Sequence, residues 1–240
     1  MTFGLREHGV QVVLLDIEGT TTPIAFVYDV LFPYARARLN AYLRAHLGED
    51  ELRDVVATLR VEWQEDAAAK HQPPPWALAD IPAAARYLEW LMDRDRKSPG
   101  LKRIQGHIWE RGFKSGELRA ELFPDVAPAF SRWKGAGIDI GIYSSGSVLA
   151  QKLIFSELLS HISGFFDTSV GAKRSVDSYR RIAGEFRRQP QQILFVSDVP
   201  EELNAARDAG FRVLLAVRPG NQAIEGPVSI EVITSFDAIT

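Results

Sequence analysis

Six side chains in this chain are of types that handle phosphoryl groups, and they fall in four short stretches. Asp16 and Glu18 stand in Asp16-Ile17-Glu18-Gly19, Ser144 and Ser145 precede Gly146, Lys173 follows Gly171-Ala172, and Asp198 follows Ser197. A carboxylate can take a phosphoryl group as an acyl phosphate, dividing one hard hydrolysis into two easier steps. Asp16 is the candidate for that role. Glu18 lies on the same side of the chain as Asp16 if strand geometry persists. There it can act as acid toward a leaving oxygen and base toward water, or offer its backbone carbonyl to a metal. Asp198 with Asp16 suits Mg²⁺, which takes few protein carboxylates and completes its shell with water and phosphate. Ser144 and Ser145 offer hydroxyls and amides to phosphate oxygens at the start of a helix, and Lys173 offers a fixed positive charge. Each has an ordinary alternative: an acidic strand end, a helix N-cap, a solvated lysine.

What brings these residues together must be a parallel sheet. Val10–Leu15 is an apolar, β-branched run, as a strand buried on both faces should be, and Gly19 and Pro23 turn the chain after it. From 122 onward strands and helices alternate. Strands are expected at 138–143, 165–170, 192–196, 211–217 and 228–233, with helices at 124–134, 148–155, 175–187 and 201–209. That rhythm predicts an α/β fold with a doubly wound parallel sheet and right-handed crossovers. In such a sheet the polar strand ends share the carboxyl edge, where ligands bind.

Between the first two strands the periodicity is helical, over too long a span for one crossover. Leu39, Tyr42, Leu43, His46 and Leu47 share one helix face, and Leu52, Val55, Val56, Leu59 and Trp63 another. Pro33 is expected to kink or restart the first helix, and Gln72-Pro73-Pro74-Pro75 marks a linker. Helices at 81–96 and 101–116 follow. The expected division is an α/β core of 1–24 and 123–240 with a helical cap inserted at 25–122.

Composition removes several function classes. A net charge of −3 gives no case for nucleic acid or a membrane surface as partner. Without cysteine there are no disulfides, thiolate metal sites or cysteine nucleophiles. Scattered histidines with no close acidic partner make a poor zinc site. No apolar run approaches membrane-spanning length, and the chain reads as a cytoplasmic protein. Arg218-Pro219-Gly220-Asn221, after a strand, is either a plain turn or a rim loop near the phosphate.

The four stretches, in this order and with a helical insert after the first, resemble the haloacid dehalogenase superfamily of aspartate-nucleophile phosphatases. More closely, Asp16-Ile-Glu-Gly-Thr-Thr-Thr-Pro-Ile24, Ile104-Gln-Gly-His-Ile-Trp109, Tyr143-Ser-Ser-Gly-Ser147 with Ala150-Gln-Lys152, and Arg218-Pro-Gly-Asn221 are similar to the enolase-phosphatase family of methionine salvage. Glu18 is telling, because the superfamily usually has a second aspartate there. The resemblance implies a haloacid dehalogenase-like core and a monomer with Mg²⁺. It implies an activity that enolises 2,3-diketo-5-methylthiopentyl 1-phosphate and dephosphorylates it to an acireductone. By position, Asp16, Glu18 and Asp198 would form the metal site, and Ser144, Ser145 and Lys173 would contact the phosphate. A second acid near Asp198 is replaced by Val-Pro-Glu-Glu, leaving Glu201 and Glu202 as rivals for a supporting role. The alternative enzyme is a related phosphatase for another small phosphate ester. A catalytically silent phospho-ligand binder is the alternative of another class, opposed by the nucleophile, lysine and metal acid together.

Overall fold

A computed structural model describes residues 2–76, 81–223 and 229–240. In chain order the elements are β1 (Val12–Leu15), α1 (Phe32–Ala45), α2 (Asp50–Ala68), α3 (Ile81–Met92), α4 (Pro99–Ser115), α5 (Val126–Gly135), β2 (Asp139–Tyr143), α6 (Val148–Ile154), β3 (Gly164–Phe166), α7 (Val176–Phe186), β4 (Ile193–Ser197), α8 (Pro200–Asp208), β5 (Arg212–Ala216) and β6 (Val232–Ile233). The chain divides into two compact units, Met1–Val27 with Arg119–Thr240, and Tyr28–Leu118. The sequence places the divisions at 24/25 and 122/123.

The first unit is built on one six-stranded sheet, ordered β3-β2-β1-β4-β5-β6, with every neighbouring pair parallel. All four residues of β1 are fully buried, which accounts for its unbroken apolar run. After β1 the chain builds outward through β2 to β3, then returns to place β4 on the other side. The strand order therefore reverses at β1, the point where open α/β sheets form a ligand crevice beyond their carboxyl ends. Between β3 and β4 the amphipathic α7 buries Tyr179, Ile182 and Ala183 with Phe195 and Phe211 in the core. The last expected strand is shorter than Val228–Ile233, and Val228 lies outside the described residues.

A π-helical stretch, Phe26–Leu31, leads into the second unit, and α1 restarts with Pro33 in its first turn. In that unit, Ser98 caps α4 by accepting from the Leu101 amide, so the helix begins at Pro99, earlier than the periodicity alone suggests. Conversely, α3 stops at Met92 rather than Arg96. Asp95 takes φ +46 and the Arg96 amide returns to the Leu91 carbonyl, closing the helix end. Tertiary demand overrides propensity there. Arg96 donates to the buried Asp66 carboxylate at 2.6 Å, which also accepts from Tyr87 Oη at 2.7 Å and meets His71 Nδ1 at 2.9 Å. Two histidines thus do have acidic partners, His71 with Asp66 and His107 with Glu51, but each is a single pair. No helix among the described residues is long and apolar enough to cross a membrane.

Arg218, open between turn and rim loop, is a buried rivet of the first unit. Its guanidinium lies between the Phe123 and Phe236 rings, 4.8 and 4.4 Å from their centroids. It donates to the Thr20 carbonyl at 3.1 Å, the Asp125 carboxylate at 2.7 Å and the Thr234 carbonyl at 3.0 Å. Burial alone would raise the Asp125 pKa, but the Phe236 amide, Arg218 and Ser235 outweigh it and hold the carboxyl below its ordinary value. A carboxylate shifted down by folding contributes stability above its unfolded pKa, near 3.9, and loses it as pH falls through the lower folded value. The expected result is an Asp125→Asn variant that melts below wild type at neutral pH, with the gap closing as pH drops below about 4. Parallel melts across that range check it, and a gap independent of pH would show that the charge is immaterial.

Candidate active site

The loop after β1 is drawn into a tight turn. The amides of Thr20, Thr21 and Thr22 all point at the Ile17 carbonyl, and the Gly19 amide meets the Thr22 carbonyl at 2.8 Å. Ladder pairing continues only to the Asp16 amide, which donates to the Val196 carbonyl at 3.0 Å. Strand geometry therefore does not persist to Glu18, so the alternation argument for its side chain fails. Gly19 takes φ +68, and a methyl on it would overlap the Asp198 carboxylate. Only glycine permits this loop to approach so closely.

Asp16 is 4 % exposed and held at both oxygens. Its Oδ1 accepts from the Ile17 amide at 2.8 Å and pairs with Lys173 Nζ at 2.6 Å. Its Oδ2 lies 3.2 Å from the Ser197 hydroxyl. Lys173 reaches a second acid, Glu202, at 2.6 Å. Burial alone would push the Lys173 ammonium down, but the Asp16 and Glu202 charges outweigh it and raise its pKa. The lysine is therefore a fixed cation rather than a proton donor. Glu202, on the first turn of α8, also lies 3.2 Å from the Ser197 hydroxyl, and burial followed by the Asp16 charge raises its pKa. Of the two glutamates, Glu202 is the one drawn into the site, whereas Glu201 is exposed and lies 3.9 Å from Arg174. Composition gave no signal for Glu202; its place one turn into a helix that opens beside Asp198 was the available clue.

The loop carrying Lys173 is set by hydroxyls. The Gly171, Ala172 and Lys173 carbonyls accept from Tyr143, Ser178 and Tyr179 at 2.9, 2.8 and 2.6 Å. Gly171 adopts φ +139 against the Ser178 side chain, where a Cβ would collide. Across the sheet, Ser144 Oγ accepts from the Gly146 amide at 3.0 Å, and the fully buried Gln151 amide braces the Gly146 and Phe166 carbonyls at 3.0 and 2.8 Å. The cap of α6 is Ser147, not Ser144 or Ser145. Ser145 is half-buried. The N-cap explanation for this serine pair is thereby removed.

Asp198 makes no ion pair among the described residues. Burial, then the Asp16 charge, pushes its pKa up to about 7. Two crowded carboxylates, one lacking a cation, are the donor chemistry a hard divalent ion requires. No group of three or more His, Cys, Asp or Glu among the described residues could hold a metal by side chains alone. That does not conflict with Mg²⁺, which needs only one or two carboxylates beside phosphate and water. The pair fits such an ion.

The family model for haloacid dehalogenase-like hydrolases matches residues 10–210. Enolase-phosphatase E1 of Synechococcus elongatus is 50 % identical over 90 % of this chain and 92 % of its own length. The Drosophila mojavensis protein of the same name is 44 % identical over 98 % of this chain and 94 % of its own. Among solved structures, the UTR4 protein of Saccharomyces cerevisiae is 30 % identical with a TM-score of 0.79, over 95 % of this chain and 99 % of that one. A dehalogenase at 16 % identity and TM-score 0.53 shares the fold alone.

Proposed function

Because the chain belongs to the haloacid dehalogenase-like hydrolases and, within them, to the enolase-phosphatases, we propose that it converts 2,3-diketo-5-methylthiopentyl 1-phosphate to an acireductone and phosphate. We place it in methionine salvage as a cytoplasmic, Mg²⁺-dependent monomer with no nucleic-acid or membrane partner. The observation that carries the reading is Asp16 itself. It is a buried carboxylate at the sheet's reversal point, oriented by the Ile17 amide and the Ser197 hydroxyl and neutralised by Lys173.

Asp16 and Asp198 would hold the cation, with the Glu18 backbone as a third donor. Bound there, Mg²⁺ would polarise the substrate carbonyl and screen the repulsion between Asp16 and the phosphate. The Lys173 ammonium and the Ser144–Ser145 segment bind and orient the phosphoryl oxygens. Glu18 removes a proton from the carbon that bears the phosphate while the adjacent carbonyl oxygen takes one from water, giving the enol. An Asp16 oxygen then bonds to phosphorus as the bond from phosphorus to the substrate oxygen breaks, and Glu18 returns a proton to that oxygen. Water, deprotonated by Glu18, cleaves the aspartyl phosphate, releasing phosphate and regenerating Asp16.

The test is to incubate the protein with the diketo phosphate, with and without Mg²⁺, following enol absorbance and phosphate together. Both signals are expected only with Mg²⁺, and Glu18→Gln is expected to lose enol formation. Full-rate enolisation by Glu18→Gln would remove that residue as the base. Phosphate released only from other esters would transfer the site to the alternative phosphatase.

A further inference from the structure

Two buried polar atoms of the Arg218-Pro219-Gly220-Asn221 loop lack a partner, Arg218 Nη2 and Asn221 Oδ1, and the second faces Gly19 of the candidate site. Asn221 Nδ2 donates to the Gly19 carbonyl at 2.9 Å and to the Ala216 carbonyl at 3.3 Å. Two carbonyl acceptors on that nitrogen fix the orientation of the amide, because a flip would set oxygen against oxygen. Asn221 Oδ1 therefore has to face the other way. It is buried there without a partner.

Its direction is given by Gly19. A Cβ on that residue would lie 3.0 Å from Asn221 Oδ1 and would overlap Asp198 Oδ2. Both oxygens thus close on the same small space above the Gly19 backbone. A carboxylate oxygen and an amide oxygen are both acceptors, and neither can satisfy the other. Buried acceptors in native proteins are almost always matched, so one without a protein partner answers to an ion, a water or a ligand. The loop is moreover held from behind. Arg218 ties it to Thr20, Asp125 and Thr234, so Asn221 is presented on a braced segment and not on a free tip.

We propose that Asn221 is a positioning residue of the cation site, its Oδ1 accepting from the hydration shell of the divalent ion held by Asp16 and Asp198. This rests on the metal reading above. The same side chain then does two jobs, with Nδ2 setting the Gly19 turn and Oδ1 facing the ion. Partners of this outer kind typically change metal affinity by 10- to 100-fold when removed.

The experiment titrates Mg²⁺ into metal-free wild type, Asn221→Ala and Asn221→Asp by calorimetry, with melting temperatures of the metal-free forms in parallel. Asn221→Ala is expected to weaken Mg²⁺ binding roughly 10-fold or more. Asn221→Asp loses the same Nδ2 bonds but adds charge toward the ion, so it is expected to bind at least as tightly as wild type while melting lower without metal. A residue that merely shapes the turn would give the contrary pattern, with both variants weakened alike. Equal weakening, or wild-type affinity in both, overturns the inference while leaving the metal site in place. If wild type itself binds no Mg²⁺, the metal reading and this inference fall together. Should the alanine variant not fold, the aspartate variant alone decides, since weaker binding by it contradicts the proposal.

Discussion

Asp16→Asn is expected to release phosphate roughly 10⁴- to 10⁶-fold more slowly than wild type, the scale seen when a covalent nucleophile is removed. The substitution is nearly isosteric, and an amide oxygen can still accept from the Ile17 amide and from Lys173, which keeps its second partner Glu202. The fold is therefore expected to survive, and a lost rate reports chemistry rather than unfolding. The two optical and phosphate signals separate the steps. Asp16 forms the bond to phosphorus but has no assigned part in proton removal from carbon. The variant should consequently still accumulate enol phosphate when Mg²⁺ is high enough to offset the lost carboxylate. Phosphate release above a hundredth of the wild-type rate would remove Asp16 as the nucleophile.

Lys173→Met carries the second large effect, on stability as well as rate. The methionine keeps most of the side-chain volume but removes the one ammonium that pairs with Asp16 and Glu202. Breaking a buried ion pair from one side costs about 3–5 kcal/mol, because the remaining charge stays buried. At about 2–4 °C per kcal/mol for a chain of this size, the metal-free protein should melt on the order of 10 °C lower. Phosphate release should fall about 10²- to 10³-fold, as when a single charge-stabilising group is taken from a transition state. A cycle with Glu202→Gln isolates the cause. The double variant should regain much of the lost stability and none of the activity. Asp198→Asn should move the opposite way, raising the metal-free melting temperature because it relieves a carboxylate that burial and Asp16 oppose. Lys173→Met melting within about 2 °C of wild type would show that the lysine does not hold the acids together.

Much of this was legible before any coordinates. The strands were marked by apolar runs, and the chemistry by the polar residues that stop them, because a parallel sheet puts every such stop on one edge. Lys173 belonged to that set by position, though nothing in the sequence says that its ammonium reaches two acids. What stayed hidden depends on contacts between distant segments. Arg218 looks like any surface arginine until Phe123 and Phe236 are brought to either side of it. Glu202 differs from its neighbour Glu201 only by the face of α8 it occupies. Glu18 lies beyond the residue where the turn begins, so the condition that strand alternation persists is not met there. The end of α3 was missed for a similar reason, since Asp66 draws Arg96 out of the helical pattern from 30 residues away.

The place of β1 in the sheet also governs how the molecule must be made. It is an inner strand, yet its partners β2 and β4 come much later in the chain, and Ser197 lies 181 residues beyond Asp16. At about 5–20 residues per second, a ribosome needs roughly 10–35 s to deliver that second neighbour. Tyr28–Leu118 emerges in the interval and forms its own compact unit of helices. The nascent chain therefore holds a wholly apolar strand with both edges unsatisfied while an independent body takes shape behind it. Such an edge is a template for pairing with the wrong chain. The residues that place the nucleophile at the sheet's centre thus leave β1, made before its neighbours in the sheet, among the last to be sheltered.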